Sequence, residues 1–264
     1  MGSMQKLRSA VFYLKSPVYW AHFSHRAMRY FQANLDGDFH QAQALAWAGE
    51  RAQPLATLLA QFGLIAGPGA VLPGMDPDLL KAAKRRAERA RHKMGGGAHI
   101  DLIYAVARLT AARACLETGV AYGWSSLAFL AAMEKNGDGR LVSVDRPYPG
   151  MGNEGDVGIV VPERFKYRWT IVREPDRNGL HRAAGAFPEG VDIAHYDSDK
   201  SYRGRMFGYA ILWKALKPGG IFLSDDIQDN MAFADFVRQK DASFGVVEGG
   251  GKYIGLAVKP GLRG

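Results

Sequence analysis

The stretch "ACLETGVAYGWSSLAFLAAMEKNGDGRLVSVD", Ala114 to Asp145, decides the fold. "ARACLE" is a short apolar run, as a buried strand requires. Gly119 and Gly123 permit a tight turn after it, because glycine adopts backbone angles that a Cβ would forbid. From Trp124 or Ser125 the chain "WSSLAFLAAMEKN" reads as a helix, and "RLVSVD" is a second apolar strand. Strand, helix, strand at this spacing predicts a parallel pair joined by a right-handed crossover.

The same alternation continues downstream. "RWTIVRE" and "VDIAHYD" read as strands, and "YRGRMFGYAILWKAL" as an amphipathic helix stopped by Pro218 and Gly219. "GIFLSDDI" is a strand and "NMAFADFVRQ" a helix with Asp229 as its N-cap. "FGVVEGGGKYIGLAVK" reads as two strands joined by a Gly-rich hairpin. The prediction is a doubly wound, Rossmann-like α/β sheet, mostly parallel, with a terminal antiparallel hairpin. Ligands of such sheets bind beyond the carboxyl ends of the strands.

Upstream, residues 4–93 read as a helical N-terminal extension or lid, and 94–264 as the α/β domain. Three- and four-residue apolar spacing marks "AQALAWAGERAQPLATLLAQFGL" and "DPDLLKAAKRRAERA" as helices, the second with Asp76 as N-cap and Pro77 in its first position. Residues 1–3 read as an expression remnant, with Met4 as the start. The hydrophobic fraction of 47% fills a sizeable core. The single cysteine, Cys115, excludes an intramolecular disulfide and reads as a buried thiol, which fits a cytoplasmic protein. No apolar run approaches the roughly 18 residues of a membrane span.

The net charge of +8 is concentrated in Lys81–Lys93, which holds seven Lys/Arg and one Glu. Such a run is a solvated helix face or a guide for anions. The aromatic stacking signatures of RNA-binding modules are absent, so no nucleic-acid partner is expected. The aromatic N-terminal helices leave a homodimer interface open.

Four strand ends carry the candidate chemistry. The turn E-x-G-x-x-x-G from Glu117 is not the dinucleotide fingerprint, and no P-loop is present. A carboxylate beside a helix N-terminus suits a cationic ligand group. Asp145, 28 residues past Glu117, is placed to accept from ribose hydroxyls. "YDSDKSY" and "LSDDI" put Asp197, Asp199, Lys200, Asp225 and Asp226 at the two later strand ends. His195 reads as a core or cofactor-lining residue, and His99 as either a site residue or a helix start.

"ETGVAYGWSS" followed by "SVD" resembles the motifs of class I S-adenosylmethionine-dependent methyltransferases. The resemblance covers about residues 94–260 and implies a seven-stranded sheet. It implies that the methionine part of S-adenosylmethionine lies on the turn of Glu117, Gly119, Tyr122, Gly123 and Ser125, with Asp197 nearby and Asp145 on the ribose. "MGGGAHIDLIYAVARL", "YDSDKSY" and "GGIFLSDDI" further resemble metal-dependent O-methyltransferases of the catechol and caffeoyl-coenzyme A type and a bacterial antibiotic- and sugar-tailoring group. That resemblance implies Asp197, Asp225 and Asp226 as ligands of Mg²⁺, or of Ca²⁺ or Mn²⁺, and Lys200 as the base. The Asp-Asp pair follows the tailoring group and not the catechol type.

The expected activity is methylation of a hydroxyl on a small-molecule acceptor, anionic or glycosylated if the positive end of the basic run faces it. The Gly-rich segment Arg146–Phe165 and the N-terminal helices are expected to cover that acceptor. Metal-independent N-methylation, a non-catalytic cofactor-binding module and a nucleotide-dependent oxidoreductase are the alternatives. The oxidoreductase lacks its fingerprint.

Overall fold

The computed structural model describes residues 11–12, 15–20, 35–90, 92–148 and 152–261. Much of the expected N-terminal extension, residues 1–10 and 21–34, lies outside the described residues, as does Arg91.

A seven-stranded sheet carries the fold, with strands β1 (Ala114–Thr118), β2 (Arg140–Val144), β3 (Trp169–Val172), β4 (Val191–Tyr196), β5 (Leu216–Ser224), β6 (Ser243–Gly249) and β7 (Lys252–Val258). Their spatial order is β3-β2-β1-β4-β5-β7-β6. The first five strands pair in parallel, and β7 is antiparallel to both β5 and β6. The order therefore reverses between β1 and β4, and a crevice opens there beyond the strand ends.

Alternate residues of each strand feed opposite faces, because the strand repeats every two residues. Cys115, Leu141, Ile193 and Leu223 join the core beneath α4 (Ile100–Leu109) and α5 (Trp124–Asn136). Their neighbours Leu116, Val142, Ala194 and Phe222 face the core under α6 (Asp176–Gly185), α7 (Tyr202–Ala215) and α8 (Ala232–Lys240). On that second face Phe222 is fully buried and makes edge contacts with Tyr209 and Trp213 and a stacked one with Phe233. Burial of a side chain of this size contributes about 1.5–3 kcal/mol.

Before the sheet run α1 (Asp38–Arg51), α2 (Leu55–Gln61) and α3 (Pro77–Ala87). Leu58 and Leu59 of α2 are fully buried in the first core, so these helices pack on the sheet. Asp76 caps α3 through its Oδ1, which accepts from the Asp78 N–H at 2.9 Å. No helix among the described residues is long and apolar enough to cross a membrane.

Three local expectations are corrected. Helix α7 ends at Ala215, because Leu216 turns extended and "KPGG" already belongs to β5, where Gly219 N–H donates to Lys259 O. Helix α8 starts at Ala232 with Met231 in the cap position, while Asp229 lies in the preceding 3-10 turn. Helix α3 ends at Ala87, so the basic run leaves the helix halfway. In the described part of the Arg146–Phe165 segment, Val160, Val161 and Phe165 are buried in the first core.

Candidate functional site

A cavity of about 520 Å³ occupies the crevice at the switch point. Its floor begins with the turn after β1. Gly119 has φ +82, and a Cβ there would lie 1.9 Å from the Asp197 carbonyl oxygen. Only glycine lets the loops after β1 and β4 touch. Gly123 at φ +86 closes the turn into α5, and Val161 N–H donates to the Gly158 carbonyl beneath it. The N–H groups of Gly158 and Val160 donate to the carbonyls of Ala121 and Tyr122, so the Arg146–Phe165 segment braces the turn. Tyr122 and Ser125 line the cavity, and the Tyr122 hydroxyl donates to His92 O at 2.6 Å.

Glu117 is placed differently from the expectation. It is fully buried below the cavity and does not line its wall. Its carboxylate accepts from the hydroxyls of Ser125 at 2.8 Å and Ser143 at 2.6 Å, and from that of Ser126. It therefore ties β1, β2 and the start of α5 together. His195, its partner across the sheet, holds Nδ1 3.7 Å from Glu117 Oε2 and lines the cavity. Burial opposes a charge on His195, but Glu117 and Asp197 hold its pKa above the ordinary value.

Asp145 ends β2 on the cavity wall. Burial pushes it up to about 6, against the pull of Arg173, whose Nη1 donates to Asp145 Oδ2 at 2.5 Å. Tyr148 OH donates to its other oxygen at 3.2 Å. Asp176, at the start of α6, also lines the cavity, and burial pushes it up to about 7. The sequence reading passed over Asp176 and Arg173, although both follow β3 at the same kind of strand end as Asp145.

At the other end of the cavity Asp197, Asp225 and Asp226 converge, with one oxygen from each lying within 4.8 Å of the others. Neighbouring strands β4 and β5 bring them there, as the sheet order demands. Burial, then Asp197 and Asp226, push Asp225 up to about 6. Burial opposes ionisation of Asp226, but Lys200 and Lys252 hold it well below the usual carboxylate range. Lys200 Nζ contacts Asp197 Oδ1 and lies 2.8 Å from Asp226 Oδ2. Burial opposes its charge too, yet Asp197 and Asp226 keep its pKa above the ordinary lysine value.

Asp199 is set apart from the triad. Its Oδ1 accepts from the Ser201 N–H at 3.0 Å, and its side chain packs on Gly204. Two further residues escaped the sequence reading. Arg205 of α7 is fully buried beneath the triad and donates to the carbonyls of Asp225 and Asp226, each at 2.8 Å. Lys252, on the cavity wall from β7, donates to Asp226 Oδ1 at 2.8 Å. Among the described residues of the 81–93 basic run, none lines the cavity, which takes Met94, Gly95, Gly96 and Ala98 instead. His99 takes the left-handed conformation (φ 57) before α4 and packs on Gly249 of the hairpin. Cys115 is buried and its thiol pKa is pushed well up by that burial, as for an inert core residue.

Three hard carboxylate donors in this geometry fit a divalent cation of the Mg²⁺ or Ca²⁺ kind. The cavity volume suits a small organic molecule or cofactor.

Residues 116–227 match the family model described as a methyltransferase domain. No protein of curated function matches the sequence. Solved structures share the fold. An O-methyltransferase from Bacillus cereus in complex with SAH matches with a TM-score of 0.55 at 16% identity, covering 78% of this chain and 100% of that one. TomG from Streptomyces achromogenes, an O-methyltransferase involved in tomaymycin synthesis and bound to SAM, gives 0.55 at 19% identity, over 72% and 92%. The SAH-bound methyltransferase PaMTH1 from Podospora anserina gives 0.55 at 15%, over 71% and 90%. All three likenesses concern the seven-stranded fold.

Proposed function

We propose that this chain, an enzyme whose segment 116–227 is a methyltransferase domain, is an S-adenosylmethionine-dependent O-methyltransferase that uses a divalent cation and acts on a hydroxyl of a small molecule. One observation carries the reading. The acidic triad and Lys200 share a single cavity with the glycine turn after β1 and the acid after β2.

When bound, S-adenosylmethionine supplies an electrophilic methyl group and the cation lowers the pKa of the acceptor hydroxyl. The residues of the chain supply the positions. The Gly119 turn, with Tyr122, Ser125 and Asp197, holds the methionine part, and Asp145 accepts from the ribose hydroxyls. Glu117 supports that turn from beneath through its serine hydroxyls. Asp197, Asp225 and Asp226 hold Mg²⁺, with Ca²⁺ and Mn²⁺ fitting the same donors. Met94–Gly96, Ile103 and Ile254 form the acceptor side of the wall and exclude water there. Lys200 keeps a proton at Nζ while Asp197 and Asp226 face it, so its service as base requires that those carboxylates be engaged elsewhere. Much of the acceleration then comes from holding acceptor and donor in line. The buried thiol of Cys115 is in keeping with a cytoplasmic setting.

Methyl transfer from labelled S-adenosylmethionine to a panel of small hydroxyl compounds, run in EDTA and after Mg²⁺ is restored, tests this. Turnover that survives EDTA removes the metal from the proposal, and methylation of amines in place of these hydroxyls, unaffected by EDTA, favours the metal-independent N-methyltransferase. Calorimetry showing no S-adenosylmethionine binding removes the cofactor as well.

A further inference from the structure

We infer that Lys252 is an exchangeable counter-charge: its ammonium holds Asp226 until a divalent cation takes that carboxylate, and it then faces the acceptor as the partner of an anionic group. The inference rests on the metal reading above.

Asp226 has two carboxylate oxygens, and both are engaged by ammonium groups. Oδ2 lies 2.8 Å from Lys200 Nζ, and Oδ1 accepts from Lys252 Nζ at 2.8 Å, with Gln228 Nε2 at 3.4 Å. A dication ligated by Asp226 takes one of these oxygens and repels the ammonium that held it. The two lysines are unequally held. Lys200 also contacts Asp197, and its side chain is 36% exposed. The Lys252 side chain is 48% exposed, and Asp226 is its ion-pair partner among the described residues. A cation held by the triad frees Lys200 from both of its carboxylates, as its role as base requires, and frees Lys252 from Asp226; Lys252, the more exposed of the two, is the one that keeps its charge and turns it to the cavity.

Its backbone stays fixed while the side chain moves. Lys252 opens β7 opposite Gly249, and Gly251 N–H donates to Glu248 Oε1 at 2.7 Å across the hairpin. The ring of His99 backs Gly249, where a Cβ would meet its Cε1 at 3.0 Å. The released ammonium thus swings from a rigid strand end that lines the cavity beside Ile254. The remaining wall cations, Arg146 and Arg177, follow β2 and β3 at the opposite end. An ammonium next to a dication, in a partly dry cavity, is stabilised by an anion. A carboxylate or phosphate next to the acceptor hydroxyl supplies one, and a neutral acceptor does not.

Mn²⁺ alone, titrated into wild type, Lys252→Met, Lys252→Arg and Asp226→Asn and followed by electron paramagnetic resonance, tests the exchange. Lys252→Met should bind Mn²⁺ about two- to fivefold tighter, the range that a partly exposed ion pair supplies. Lys252→Arg should stay near wild type and Asp226→Asn should bind more weakly. A brief pulse of acetic anhydride, read by mass spectrometry, should acetylate Lys252 faster once Mn²⁺ is present. Mn²⁺-loaded wild type should prefer 2,3-dihydroxybenzoate to catechol, the same diol with and without an acid group, and Lys252→Met should lose that preference. Equal or weaker Mn²⁺ binding by Lys252→Met, or unchanged acetylation, overturns the exchange. Equal or no binding of the two diols by wild type overturns the acceptor half. Wild type that takes up no Mn²⁺ sinks the metal reading itself, which is a different result from wild type that binds it with Lys252→Met unchanged.

Discussion

Replacing Arg205 by Met leaves most of the side-chain volume in place and removes the guanidinium. In the folded protein that group donates to Asp225 O and Asp226 O at 2.8 Å each, to Tyr209 OH at 3.2 Å, to Ser224 Oγ at 3.3 Å and to Lys200 O at 3.4 Å. Its ion pair with Asp229, at 3.3 Å, is less consequential because that carboxylate is 31% exposed and rehydrates. The Asp226 carbonyl keeps the Asp229 N–H at 3.2 Å, whereas that of Asp225, bound by Arg205 Nη1, has no such recourse. Leaving buried acceptors unpaired costs about 1–3 kcal/mol each, and breaking a buried charge network as a whole costs about 3–5 kcal/mol. The expected loss is therefore about 4 kcal/mol, or a fall of about 10 °C in Tm for a chain of this size. Arg205→Lys keeps a charge but cannot reach both carbonyls with one ammonium, so it should lose about half as much. Urea unfolding followed by far-ultraviolet circular dichroism measures both variants. A loss under about 1 kcal/mol for Arg205→Met would refute the reasoning, because it would mean the two strand-end loops hold their shape without the buried fork.

Three more outcomes are expected. Asp197→Ala should abolish both Mn²⁺ binding and methyl transfer, whereas Asp199→Ala should keep Mn²⁺ binding and lose about 1 kcal/mol of stability with its hydrogen bond to the Ser201 N–H; equal Mn²⁺ affinities would erase the distinction. Gly119→Ala should lower stability by about 3 kcal/mol or more, from overpacking on the Asp197 carbonyl and a left-handed alanine, and a thermal melt matching wild type would contradict the close approach of the loops. Asp192 accepts from the N–H groups of Arg113 and Ala114 and from Lys217; burial opposes its ionisation, but these partners hold its pKa below the ordinary value. Its stabilisation is thus complete above the unfolded pKa of about 3.9 and lost as pH falls through the lower folded value, so Asp192→Asn should flatten the acid limb of a urea-midpoint profile, and parallel limbs would count against it.

What the sequence disclosed follows from how local each cause is. The β1–α5–β2 unit was legible because its strands and helix differ in period and its turn needs glycine. The triad was legible because Asp197 and the Asp225–Asp226 pair end strands that a doubly wound sheet sets side by side. Glu117 was misplaced for a physical reason: an acid at a strand end is the same letter whether it faces a ligand or three hydroxyls, and Ser125, Ser126 and Ser143 come together only in the folded sheet. Arg205 sits in the first turn of α7, and its burial is dictated by carbonyls about twenty residues away. The end of α7 was set one residue late because "KPGG" signals a stop, while pairing with Lys259 already draws those residues into β5.

The contact between Gly119 and the Asp197 carbonyl has a consequence for engineering. Loops at strand ends are usually exchangeable parts, grafted from one enzyme to another to change what is recognised. Here the acid-bearing loop after β4 is seated on the glycine turn after β1, with Asp197 N–H donating to Thr118 O at 2.9 Å. A graft that brings only the later loop inherits a seat of the wrong shape. The two loops form one heritable module, and a recombination boundary drawn between them, anywhere from Val120 to His195, separates its halves.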